Sequence, residues 1–151
     1  MDLQAALPVL LPKAITWVEE QAQQVATSGR VLTEHERQLA RGVGVAHPER
    51  IRVALVDTLP LPEDPALRTA ALQTGLLGPG MIGLTFGHSV FICKGHETPR
   101  LLSHEFRHVY QYEQAGSIAT FLPLYLLQVV QLGYANTAFE IDARAHEPTD
   151  V

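Results

Sequence analysis

His104-Glu105-Phe106-Arg107-His108 places two imidazoles four residues apart with a carboxylate beside the first. On a helix, positions four apart share a face, so both rings can reach one ion. Such a pair suits zinc, and zinc lowers the pKa of a coordinated water towards neutrality. Glu105 stands one position beyond the first histidine. From there its carboxylate can take the water's proton during attack on a carbonyl without binding the metal itself. The chemistry is hydrolysis, with His104 and His108 as metal ligands, Glu105 as general base and Zn2+ as cofactor. The competing role for the two histidines is structural: rings satisfied by neighbouring carbonyls or carboxylates in a polar core.

A catalytic zinc takes three protein ligands and keeps one position open. The downstream candidates are Glu113, Glu140, Asp142, His146 and Glu147. Glu113 shares the histidines' helix but faces away from them. Glu140 is the best placed, because a reversal through Leu132 and Gly133 can return the last helix to the first. Thr137 and Glu140 also have capping-box spacing, and a Glu140 that reached back to Thr137 would be no ligand. Asp142 is the runner-up, or a partner for a histidine N–H. Tyr134 or Arg144 could steady an oxyanion. His88 and His96 lie in loops, while His35, His47 and His146 read as surface residues.

These side chains need a frame. Thr98 followed by Pro99 starts a helix and Gly116 stops it, which puts the histidines in the middle of Pro99–Ala115. Leu102, Phe106 and Val109 form its apolar stripe, with Arg100, Ser103, Arg107 and Gln114 on the polar side. A hairpin precedes it: Ile82 to Phe86 and Ser89 to Cys93 flank Gly87-His88, a pair suited to a type II′ turn. Upstream, a helix from Pro12 carries Ile15, Val18, Ala22 and Val25 on one face up to Gly29. Thr33 and Glu36 make a capping box for a second helix. Ile51, Val53 and Leu55 alternate as a strand within Ile51–Asp57. A short helix over Glu63–Thr74 starts near Pro65, and Gly75 to Gly80 is loop. Phe121 to Leu132 reads as a core helix with Pro123 in its first turn, and the last helix begins at Asn136 or Thr137. The fold class is α+β: mostly helical, with a small sheet beside the histidine helix.

The later chain resembles a known group. His-Glu-x-x-His followed by a glutamate on a later helix is similar to the gluzincin clan of zinc metallopeptidases. More narrowly, the chain resembles small bacterial zincin-like domains of largely unassigned substrate. The match runs through Gly95, then Leu101-Leu102-Ser103-His104-Glu105-Phe106-Arg107-His108-Val109-Tyr110-Gln111, and later Asn136-Thr137-Ala138-Phe139-Glu140-Ile141-Asp142-Ala143-Arg144. It covers Met81 to Glu147. The resemblance implies a compact zincin-like domain with Glu140 as third ligand, and the hydrolase reading expects a peptide or protein substrate.

Composition narrows the classes further. The 151 residues are expected to form a single domain, residues 1–151, with no clear linker or repeat. A hydrophobic fraction of 46% against 18% charged residues is that of a globular chain. A net charge of −5 without a basic run argues against a nucleic-acid partner. The single cysteine, Cys93, forms no internal disulfide, the apolar N-terminal stretch is broken by Pro8 and Pro12, and Phe121 to Leu132 is short for a bilayer. The expectation is a soluble cytoplasmic protein with no membrane partner. Two alternatives to a peptidase stand: a non-catalytic binding or regulatory module whose zinc is structural or absent, and a hydrolase of non-peptide amides or esters.

Overall fold

The computed structural model describes residues 2–78 and 80–148. Among them the elements run α1 (Leu3–Ser28), α2 (Glu34–Gly42), β1 (Arg52–Val56), α3 (Pro65–Thr74), β2 (Gly83–Phe86), β3 (Ser89–Cys93), α4 (Pro99–Ala115), α5 (Ile118–Leu132) and α6 (Ala138–Ala145). The chain is α+β and mostly helical, with a small mixed sheet.

Caps fix most boundaries. The hydroxyls of Thr33, Thr98 and Thr137 each accept from the backbone N–H three residues on, at 3.1 Å in every case. Thr33 and Glu36 complete the expected capping box, and Gly116 ends α4 at φ 96°. Two helices start earlier than their prolines suggest. α1 opens at Leu3 behind an Asp2 cap and runs through both Pro8 and Pro12. α5 opens at Ile118 behind Ser117, leaving Pro123 inside rather than in the first turn. Each internal proline removes one hydrogen bond, and tertiary packing outweighs that loss. Leu10, Ala14 and Val18 of α1 and Phe121, Leu122 and Val129 of α5 are all buried.

The sheet has the order β1-β3-β2, with β1 parallel and β2 antiparallel to β3. In the hairpin turn Gly87 has φ 67° and His88 does not share its positive φ, the pattern of a type II′ turn. Central β3 is buried at every position, because both faces of the sheet are covered. Val90 and Ile92 point into a core shared with Val53, Leu102, Phe106 and Val109. Phe91 and Cys93 point oppositely, towards Val18 and Val25 of α1 and Leu122 of α5. The alternation expected of β1 holds for Ile51 and Val53 but fails at Leu55, which is 37% exposed on this edge strand, beyond the bridge from Arg30 to Val53.

After α5, Gly133 (φ 84°) and a 3-10 turn over Tyr134–Asn136 reverse the chain, and α6 packs along α4. That reversal carries the site. No single described helix is long and apolar enough to cross a membrane; α4 and α5 reach that length together only across a 116° bend.

Candidate metal centre

α4 presents His104 and His108 on the face that meets α6. There Glu140 Oε2 lies 3.2 Å from His104 Nε2 and 3.0 Å from His108 Nε2. The three candidate ligand atoms lie within 4.8 Å of one another. Zinc–ligand bonds of about 2.0–2.1 Å give a tetrahedron with edges of about 3.3 Å, so both measured separations are near what one ion would require. They also suit charge-assisted hydrogen bonds from protonated imidazoles. The triad is thus a self-satisfied hydrogen-bonded cluster whose spacing is also compatible with one ion. Two imidazole nitrogens and one carboxylate oxygen form a donor set that fits zinc with a position left open.

The capping alternative for Glu140 is realised only in part. Its backbone N–H donates to Thr137, but its side chain turns to the histidines and is 2% exposed. Asp142 reaches no histidine of the triad. It takes a forked pair of bonds from Arg107 at 2.8 and 3.3 Å and a third from Gln111 at 2.9 Å.

Both rings are held from behind. Gln111 donates its amide N–H groups to Phe139 O and Asp142, so its oxygen faces His108 Nδ1 at 2.8 Å. His108 must therefore donate from Nδ1, which directs Nε2 towards the triad. His104 Nδ1 donates to Glu147 Oε2 at 2.8 Å, and Arg100 holds the other oxygen of that carboxylate at 2.7 Å. Spacing could have found Gln111, which lies one turn beyond His108 on the same face. Glu147 was one of several downstream acids that spacing could not separate.

Glu105 stands outside the triad. It is 4% exposed, and its Oε1 accepts from Thr85 Oγ1 of β2 at 2.8 Å. Its other oxygen packs against Gly83, where an added Cβ would come within 2.9 Å. β2 is thus shaped to the general-base candidate, which neither Thr85 nor Gly83 reveals in sequence. Ser103, expected on the polar side of α4, is 3% exposed, and Arg107 is turned inward to Asp142 and Val43 O.

Charge is concentrated here. Burial works against protonation of His104, yet its hydrogen bond to Glu140 and the charges of Glu105 and Glu140 outweigh burial and hold it up to about 9. His108 is raised likewise, burial being overcome by Glu140. Burial would raise Glu140, but the bonds from His104 and His108 hold it far below the usual carboxylate range. Burial pushes Glu105 up, against the pull of His108 and His104. Tyr125, which sequence did not single out, donates to Glu140 Oε1 at 3.4 Å. Burial, reinforced by the charge of Glu140, keeps the hydroxyls of Tyr125 and Tyr134 protonated and able to donate.

The other candidates fall elsewhere. Glu113 accepts from the backbone of Ala46 and His47 and meets His88 at 2.9 Å. Arg144 is exposed and donates to Ala135 O, and His146 meets Asp142 O. His35, His47 and His96 are exposed. Compared with protein-family models, curated proteins and solved structures, the chain finds no match.

Proposed function

We propose that the protein is a zinc-dependent hydrolase of the metallopeptidase kind, with His104, His108 and Glu140 holding the metal and Glu105 acting as general base. The observation that carries this reading is the position of Glu105: buried and raised in pKa, beside the ligand set but not part of it. A purely structural zinc site has no use for such a carboxylate. When bound, zinc would supply a Lewis acid and a water acidic enough to be deprotonated near neutral pH.

The chain's own residues would do the rest. Glu105 takes the proton of the attacking water and passes it to the leaving amine. Thr85 aims the carboxylate, and the protonated hydroxyls of Tyr125 and Tyr134 would serve the developing oxyanion by turning from Glu140. Glu147 and Gln111 hold the two imidazoles in register. β2 is the edge strand that packs against α4 and sets Thr85 and Gly83 beside the Glu105 carboxylate. A cytoplasmic setting is part of this reading, in which the lone Cys93 requires no oxidising compartment.

One observation favours the rival, a non-catalytic module. Among the described residues no buried side-chain polar atom lacks a hydrogen-bond partner, so the triad is satisfied as a polar core. Metal analysis separates the two. Purified protein should hold about one zinc per chain, and His104→Ala and His108→Ala should each lose it. Wild type that stays metal-free after incubation with zinc would reject the hydrolase.

A further inference from the structure

Behind the triad runs a cavity of about 140 Å³, bounded at one end by Glu105, His108 and Glu140. Tyr112, Tyr125 and Tyr134 surround that end, and the remaining walls are almost wholly hydrocarbon. α1 lines the cavity from Leu3 through Leu7, Leu10, Leu11 and Ala14 to Val18. At 1.5 Å of rise per residue that stripe is about 22 Å long. A modest volume along such a length is a slot, not a bowl. Leu3, Leu7, Leu11, Met81 and Leu126 are only half-buried, so the slot is bordered by side chains free to adjust.

The wall chemistry discriminates between occupants. A peptide main chain brings a donor and an acceptor with every residue, and each costs free energy if buried without a partner. Among the described residues, the polar side chains in the lining away from the triad and its three tyrosines, besides Glu105, are Thr85, which already donates to Glu105 at 2.8 Å, and Thr74, whose hydroxyl already donates to Ala70 O at 2.9 Å. A polypeptide therefore finds no uncommitted side-chain partner along the slot, whereas an alkyl chain needs none.

We propose that the slot binds the hydrocarbon chain of the substrate, so that the bond cleaved is the amide of an N-acylated amine or peptide, its acyl chain lying along α1. This rests on the hydrolase reading of the triad. In the reaction the water oxygen bonds to the acyl carbonyl carbon and the C–N bond breaks. The proton taken up by Glu105 leaves with the amine, and the products are a free carboxylic acid and that amine.

Binding of inhibitors tests this without turnover. Acetohydroxamate, octanohydroxamate and dodecanohydroxamate share a metal-chelating head and differ in chain; dodecanol has the chain without the head. Zinc-loaded protein is titrated with each, and the measurements are repeated on zinc-free protein. Each methylene entering the slot should tighten binding about fourfold, so octanohydroxamate should bind more than about a hundredfold tighter than acetohydroxamate. Dodecanohydroxamate should bind at least as tightly as octanohydroxamate. Ala14→Phe and Ala70→Phe, which narrow the slot from α1 and from α3, should erase the chain-length dependence. Zinc content and acetohydroxamate affinity should stay unchanged in whichever variant folds.

Equal affinity for all three hydroxamates on zinc-loaded protein would overturn the acyl assignment and leave the metal centre standing. A phenylalanyl dipeptide hydroxamate binding more tightly than dodecanohydroxamate would overturn it in favour of a peptide side chain. Dodecanol matching dodecanohydroxamate with no dependence on zinc would instead overturn the metal centre beneath the proposal.

Discussion

Replacing Glu140 by glutamine tests the ligand set most directly, because the change keeps the side chain's shape and removes its charge. Structural zinc sites bind with about 10–16 kcal/mol over four ligands, or about 3–4 kcal/mol each. Glu140→Gln should therefore weaken zinc binding about 10²–10³-fold. Asp142→Asn touches the metal only through Gln111 and His108, the 2.9 and 2.8 Å links described above. Its cost should be about tenfold.

The assay is thermal melting with and without zinc. Zinc at about a thousand times the wild-type Kd contributes about 4 kcal/mol, which for a chain of this length raises Tm by about 8–16 °C. At the same zinc concentration Asp142→Asn should keep about 5–11 °C of that shift, and Glu140→Gln about 1–6 °C. Each variant is compared with its own zinc-free melt, since Glu140→Gln also strips one buried and one partly buried imidazole of their counter-charge. A full zinc shift in Glu140→Gln, or a smaller one in Asp142→Asn than in Glu140→Gln, would refute the assignment.

Glu105→Gln should leave zinc content and melting nearly unchanged yet abolish hydrolysis, because an amide cannot accept the proton; equal turnover by wild type and variant would show that Glu105 is not the base. Gly83→Ala puts a methyl 2.9 Å from Glu105 Oε2; displacing the carboxylate by a fraction of an ångström should lower turnover about a hundredfold with zinc affinity intact, and unchanged kinetics would remove β2 from the mechanism. Glu147→Gln should weaken zinc binding about 10–100-fold by freeing the His104 ring, measured by competition with a chelating dye. The pH dependence has a definite sign. Without metal, His104 is held up to about 9, so its pairing with the carboxylates is present below about pH 6.5 and lost as pH rises through about 9. Zinc needs the neutral ring, so zinc uptake at pH 7 should release protons and its affinity should climb from pH 6.5 towards 9; calorimetry in buffers of different ionisation enthalpy reads both, and a flat profile would contradict it.

The bounds of the histidine helix were legible in the sequence, because their signals are local. Thr98, Pro99 and Gly116 act within one turn of themselves, and the four-residue spacing of His104 and His108 fixes their common face whatever surrounds them. The hairpin was legible for the same reason, since Gly87 alone decides the turn. The prolines misled because a local rule met a tertiary preference: the apolar faces of α1 and α5 are buried across Pro8, Pro12 and Pro123, and packing outweighs one lost hydrogen bond at each. The sequence put Glu140 ahead of Asp142 through the chain reversal at Leu132 and Gly133, but spacing alone does not fix which of the two faces the histidines. The two acids stand on one helix two residues apart, about 200° around its axis, and the angle at which α6 meets α4 turned Glu140 to the histidines and Asp142 to Arg107. Glu147, Tyr125, Thr85 and Gly83 reach the site from separate elements, and nothing in the chain's order relates them. The apolar slot is likewise a product of assembly, since its walls come from α1, α3, β2 and α5, and none of their leucines carries a local signal for it.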